Sequence, residues 1–179
     1  MTIGMKNWHF APHGEACSCR WKYLVQDIEG RDGDELPWDL NPDYQRGSVW
    51  DKNRQERFIG HVLAGGVVPP VYVQRFSGAV EIPNEVIDGQ QRLRAVQAFM
   101  AGDIGAQVYH DGEWAHYTYA QMDTIERRSG VLSTKVVFVN LGREDRLRFY
   151  LRLNGGGVAH TDEELDRVRR LLVAERNSQ

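Results

Sequence analysis

The chain has 179 residues, enough for one domain that buries a core without disulfides. Apolar residues make up 41% and charged residues 26%, a globular balance that argues against any long disordered tract. The formal net charge of −3 argues against a protein that coats nucleic acid, and the sequence shows neither a long apolar membrane span nor the pattern of a signal peptide.

Residues 1–20 have no clear period and are read as an irregular N-terminal segment, followed by a single domain over residues 21–179. Cys17 and Cys19 are the only cysteines, and their spacing is poor for a structural disulfide with each other. A reducing cytosol is the expected compartment. His9, His13, Cys17 and Cys19 have the residue types of a metal set, but their spacing matches no standard zinc pattern. Trp21 to Ile28 fits a short strand or a helix, and the Gly- and Asp-rich stretch after it reads as a loop.

Asn41 precedes a proline and enters an extended or turn segment containing Tyr44, Gln45 and Arg46. Asp51 has the position of a helix N-cap, and Phe58, Ile59, Val62 and Leu63 share one face of the helix behind it. Gly65 ends that helix and Pro69-Pro70 prevents its resumption. Val71 to Val73 reads as a strand, and a second strand runs into Glu85-Val86-Ile87. A helix then opens after Asp88-Gly89, with Leu93, Val96, Phe99 and Met100 on one face and Gly102 as its stop. Asp111-Gly112 marks a hairpin turn. Residues 135–139 read as a strand, 143–153 as a helix ending in Asn154-Gly155-Gly156-Gly157, and Thr161 with Glu164 as a capping box opening the last helix.

The junction at Asp88 carries the chemistry. A strand that turns directly into a helix leaves the first backbone N–H groups unpaired at the positive end of the helix dipole, which is a local anion site. Gly89 allows the tight turn. Gln90 and Gln91 either supply amide donors, with Arg92 a fork that clamps phosphate through two hydrogen bonds, or all three are simply solvated in the first turn of a helix. Asp88 either caps the helix, orients Arg92, or offers an oxygen ligand of the kind Mg²⁺ takes alongside phosphates. Arg46 is a second candidate phosphate contact, set against a surface salt bridge. Asn154, Gly155 and Gly156 either end a helix or form a backbone nest facing a ligand. Trp50 reads as a packing anchor rather than a stacking platform. Neither a Walker loop nor a serine-nucleophile elbow occurs.

Taken in order, Asn41 to Arg46 with Trp50, then Val86 to Leu93, then Leu153 to Val158 resemble the N-terminal domain of GmrSD-type modification-dependent restriction enzymes, of the ParB/sulfiredoxin-like superfamily. Residues 89–95 also resemble the phosphate motif of ParB-type CTP switches. The resemblance spans roughly residues 36–172. It implies an α+β fold with a small mixed sheet flanked by helices. It implies nucleoside triphosphate binding, often with hydrolysis, in defence against foreign DNA; Mg²⁺ at Asp88 is the cofactor expected from the carboxylate itself. Asp88, Gln90, Gln91 and Arg92 map onto the residues implicated in nucleotidase activity. Tyr44, Gln45, Arg46, Gly89, Asn154, Gly155 and Gly156 join Arg92 as expected nucleotide contacts.

The departures from the family pattern set further expectations. The separate nuclease half of such enzymes has no room here, so DNA or a separate nuclease subunit is the expected partner and cleavage by this chain alone is not expected. The phosphate turn lacks the cysteine of sulfiredoxins, and a helix-turn-helix reader has no place. A non-hydrolysing nucleotide or DNA switch module and a metal-dependent DNA nuclease are the alternative functions.

Overall fold

A computed structural model describes residues 14–30, 36–45, 50–76, 82–110, 112–123, 127, 130–154 and 162–177. Strand β1 (Glu15–Arg20) leads into helix α1 (Trp21–Glu29), then α2 (Lys52–Leu63), β2 (Val71–Gln74), β3 (Glu85–Asp88) and α3 (Gln90–Ala101). The hairpin β4 (Ala106–His110) and β5 (Glu113–Tyr117) follows, then β6 (Ser133–Val139), α4 (Arg143–Asn154) and α5 (Asp162–Asn177). The main sheet has the order β1-β6-β2-β3, with β6 and β2 parallel and the outer pairs antiparallel. This is the α+β class with a small mixed sheet flanked by helices.

Period-two alternation divides each central strand between two cores. Val71, Val73, Val86 and Val136 face the first, packed under α1, α2 and α3 with Trp21, Leu24, Ile59, Leu93 and Phe99. Tyr72, Ile87, Val137 and Val139 face the second, under α4 and α5 with Leu147, Tyr150 and Val168. Burial on both faces explains why β6 reads as an unbroken apolar run instead of an alternating one.

The expected stops and starts are found where they are described. Asp51 Oδ1 accepts the Arg54 N–H at 2.7 Å as the N-cap of α2. Gly102 closes α3 in the left-handed region at φ 88. His110 pairs with Glu113 across the expected hairpin turn. Thr161, the expected cap of α5, lies outside the described residues, as do His9 and His13.

One expectation is corrected. Residues 15–20, read as irregular, form the edge strand β1. Its side chains are mostly exposed, so no alternation of burial marks it, and its backbone partners come from β6, more than a hundred residues away in sequence. The ambiguous stretch after it is helix α1, with Trp21, Leu24 and Ile28 buried at i, i+3 and i+7.

Helix α2 crosses β4 at Gly60. A Cβ there would lie 1.8 Å from the Gln107 carbonyl oxygen, a backbone atom that cannot swing aside. Alanine would gain about 1 kcal/mol of helix propensity, but overpacking costs typically ~1–3 kcal/mol and more against rigid backbone. Gly60→Ala is therefore expected to lower the melting temperature, and an unchanged or higher value would contradict this packing.

One turn earlier, buried Glu56 accepts from the Gly105 N–H at 3.3 Å and pairs with His116 Nε2 at 3.1 Å. Desolvation pushes its carboxyl upward, but the hydrogen bonds from His116 and Gly105 outweigh that and hold its pKa below the usual 4.5. A carboxylate with a depressed folded pKa stabilises the fold above its unfolded value and loses that contribution as pH falls through the folded value. Melting temperatures should therefore fall on acidification below about 4.5. Glu56→Gln should fall less between pH 7 and pH 4 than the parent; an equal fall would exclude Glu56 as a source of the acid sensitivity.

Candidate functional site

Strand β3 delivers Val86 to one core and Ile87 to the other, which fixes the direction in which Asp88 leaves the sheet. The chain then turns at Gly89, with φ 102. Any Cβ there would stand 2.7 Å from Val71 Cγ2, so both the dihedral and the space require glycine. Helix α3 begins at Gln90.

Asp88 is not the N-cap, since α3 has no side-chain cap bond. Its carboxylate instead holds Arg92, with Oδ2 2.5 Å from Nη2. Arg92 Nη1 also donates to the Pro69 carbonyl and to the Pro70 carbonyl at 3.4 Å. The guanidinium thus ties the start of α3 to the segment entering β2. Its side chain is only 13% exposed. Burial lowers the guanidinium pKa while Asp88 opposes that shift, and an arginine in such a pair stays charged.

The ion pair does not close the site. A hollow of about 540 Å³ opens beside Asp88 and Arg92, walled by Trp50, Phe58, His61, Tyr72, Pro69 and Leu153. That size falls within the range of small-molecule sites. Trp50 stacks at a tilt on Phe58, with 5.4 Å between ring centroids, and the Arg54 guanidinium lies 5.0 Å from the Trp50 ring. Gln91 Oε1 accepts the Trp50 N–H at 3.2 Å, so the first turn of α3 positions this aromatic wall. Leu153 brings the end of α4 to the hollow.

The other expected site residues sit behind the junction. Gln90 is buried and donates to Asn41 Oδ1 at 2.7 Å. The Gln45 amide donates to the Val86 carbonyl and, at 2.7 Å, to the Ile87 carbonyl, clamping the irregular segment onto β3. Tyr44 is buried, its hydroxyl donating to Glu85 Oε2 at 3.2 Å and its ring edge-on to Tyr150. Burial and the Glu85 charge push its phenol pKa well up. Arg146 Nε lies 3.0 Å from the same Glu85 oxygen. Asn154 is buried and donates to the Tyr150 carbonyl at 2.9 Å. Arg46, Gly155 and Gly156 lie outside the described residues.

Of the expected residues the structure places Asp88 and Arg92 in the wall of the hollow, with Gly89 as the turn between them and Gln91 bonded to the Trp50 backbone; Tyr44, Gln45, Gln90 and Asn154 are buried in contacts of their own. Sequence reasoning missed His61, Tyr72 and the Pro69 and Pro70 carbonyls. The double proline was read only as a helix stop, although its lack of N–H donors also leaves neighbouring carbonyls to be met by side chains.

For Mg²⁺, Asp88 offers one carboxylate that already faces Arg92. Among the described residues no group of three or more His, Cys, Asp or Glu could form an all-protein cage. A single carboxylate could take part only in holding a Mg²⁺ that arrives with phosphates and keeps its waters, which is the usual mode of that ion. Asp88 is the residue that would hold it.

Among the described residues no helix is long and apolar enough to cross a membrane. A family model described as the GmrSD restriction endonuclease, N-terminal domain, matches residues 24–130. The matched stretch contains Tyr44 to Arg46 and Asp88 to Arg92 but stops short of Asn154. No curated protein and no solved structure matches the chain.

Proposed function

Because the chain belongs to the GmrSD restriction endonuclease N-terminal domain family, we propose that the hollow beside Arg92 binds a nucleoside triphosphate and that the Asp88–Arg92 turn hydrolyses it. The family match supports a restriction context, and the mixed sheet between helix layers agrees with the ParB/sulfiredoxin-like superfamily. The observation that carries the reading is the juxtaposition of a half-buried guanidinium, a helix start and an aromatic-walled hollow of about 540 Å³.

In this reading the phosphates lie against the first turn of α3, where the helix dipole and backbone N–H groups favour anions. Arg92 neutralises charge developing on the phosphate oxygens. Held on two sides by Asp88 and the proline carbonyls, it needs little reorganisation at the moment of reaction. Gln91 positions the attacking water, as a glutamine does in other phosphohydrolases. Trp50 and Tyr72 wall the space for base and ribose. A bound Mg²⁺ would supply further charge neutralisation at the phosphates. Gln90, Gln45 and Tyr44 act through β3, holding the junction in place.

A second reading, nucleotide binding without useful hydrolysis, is favoured by the commitment of Gln90 to Asn41 and of Arg92 to Asp88. DNA or a separate nuclease subunit would then be the partner that reads the bound state.

The test is a melting panel with ATP, GTP, CTP and UTP, with and without Mg²⁺, paired with phosphate release. A ligand at about 100 times its Kd adds ~2.7 kcal/mol, which for a domain of this size is a rise of about 5–10 °C. At least one triphosphate should give that rise with turnover. A rise without turnover supports the second reading, and no rise with any of the four overturns both.

A further inference from the structure

Cys17 and Cys19 stand two residues apart on β1, so strand alternation puts both side chains on one face. Their sulfurs lie 3.1 Å apart, and neither is in a disulfide. Strand β1 is at the edge of the sheet and pairs with β6 alone, Cys17 opposite Val136 and Cys19 opposite Thr134. Cys17 is exposed, while Cys19 is half-buried against the core under α1 to α3.

Spacing alone argues against a bridge between these residues, and the fold changes the balance. Two strand residues span about 6.6 Å, just inside the upper limit of roughly 6.8 Å between the Cα atoms of a disulfide. Closing the bond requires β1 to shorten locally. An edge strand can do this at the expense of one ladder instead of two. A thiophilic metal would need more ligands than the two sulfurs, and among the described residues no set of three or more His, Cys, Asp or Glu gathers.

We propose that Cys17 and Cys19 form a reversible dithiol–disulfide site that reacts with low-molecular-weight disulfides such as oxidised glutathione. The Cys17 thiolate attacks one sulfur of the small disulfide. A mixed S–S bond forms, the old S–S bond breaks, and the first glutathione leaves with the electron pair and takes up a proton. Cys19 gives its proton to solvent and attacks Cys17 Sγ, expelling the second glutathione in the same way. The protein loses two electrons and two protons, and oxidised glutathione becomes two glutathione molecules. Exposure makes Cys17 the point of entry and Cys19 the resolving sulfur. Oxidation draws the two Cα atoms together and loosens the β1–β6 ladder around Ser18 and Lys135. Strand β6 also pairs with β2, which carries Tyr72 to the hollow.

The full chain is equilibrated in reduced or oxidised glutathione, quenched in acid, alkylated with N-ethylmaleimide and weighed intact and after proteolysis. Oxidation should lower alkylation at least about tenfold and give a product two hydrogens lighter, with the bridge inside Glu15–Arg20. Cys19→Ser should keep one glutathione on Cys17 as a stable adduct, and Cys17→Ser should take up much less. The proposal is overturned if the parent keeps two alkylatable thiols, carries glutathione adducts to the same extent as Cys19→Ser, or links two chains. It is equally overturned if a bound thiophilic metal blocks alkylation until it is chelated.

Discussion

Replacing Arg92 by alanine is expected to lower phosphate release by at least about a hundredfold, the scale seen when one preorganised donor to developing charge is removed. The change also leaves Asp88 without its partner at 2.5 Å and the Pro69 and Pro70 carbonyls without a donor. Some stability is therefore lost, about 1–3 kcal/mol for an unsatisfied buried group. Turnover is accordingly compared at a temperature where circular dichroism shows both proteins folded. Arg92→Lys separates the two effects. It keeps the positive charge but cannot serve Asp88, the proline carbonyls and a phosphate through one planar fork. Its turnover should stay well below the parent while its fold is nearly restored. Full turnover in either variant would remove Arg92 from the chemistry.

The largest stability effect is expected at Arg146, which does not line the hollow. Its guanidinium is buried, pairs with Glu85 at 3.0 Å, donates to the Leu141 carbonyl at 3.2 Å and lies over Phe76. Among the described residues, truncation to alanine leaves Glu85 with the Tyr44 hydroxyl and the charge of Arg143 near it. Breaking one side of such a pair costs roughly 3–5 kcal/mol, a large share of the ~5–15 kcal/mol that holds a typical domain. Urea unfolding of Arg146→Ala should show that loss, and the double variant with Glu85→Gln should recover part of it, because no buried charge is then stranded. A loss under about 1 kcal/mol would mean that the pair is solvated and does not join α4 to β3.

Much of the fold is legible in the sequence because its signals are local. Asp51 and Gly102 mark helix ends through bonds made within a few residues, and residues 135–139 mark β6 by apolar content alone. Strand β1 is not legible, because an exposed edge strand is defined by a partner over a hundred residues away. The junction of Asp88, Gly89 and Arg92 is legible for the same local reason: a helix start after a strand needs a glycine turn. What surrounds it is not. Nothing within the Tyr44-Gln45 segment says that both side chains turn inward, Gln45 to the β3 carbonyls and Tyr44 to Glu85. These contacts cross about forty residues and turn expected ligand groups into props for the strand beneath. Trp50 is the converse case, since the side chain read as a packing anchor both packs on Phe58 and walls the hollow.

Hydrogen exchange measured with and without Mg²⁺ and the triphosphate that raises the melting temperature tests the central claim most directly. Binding in the hollow predicts slowed exchange in the first turn of α3 and in the segment from Val68 to Tyr72, with the β4–β5 hairpin unaffected. Protection confined to the hairpin or to α5, or no protection at saturating nucleotide, would contradict it.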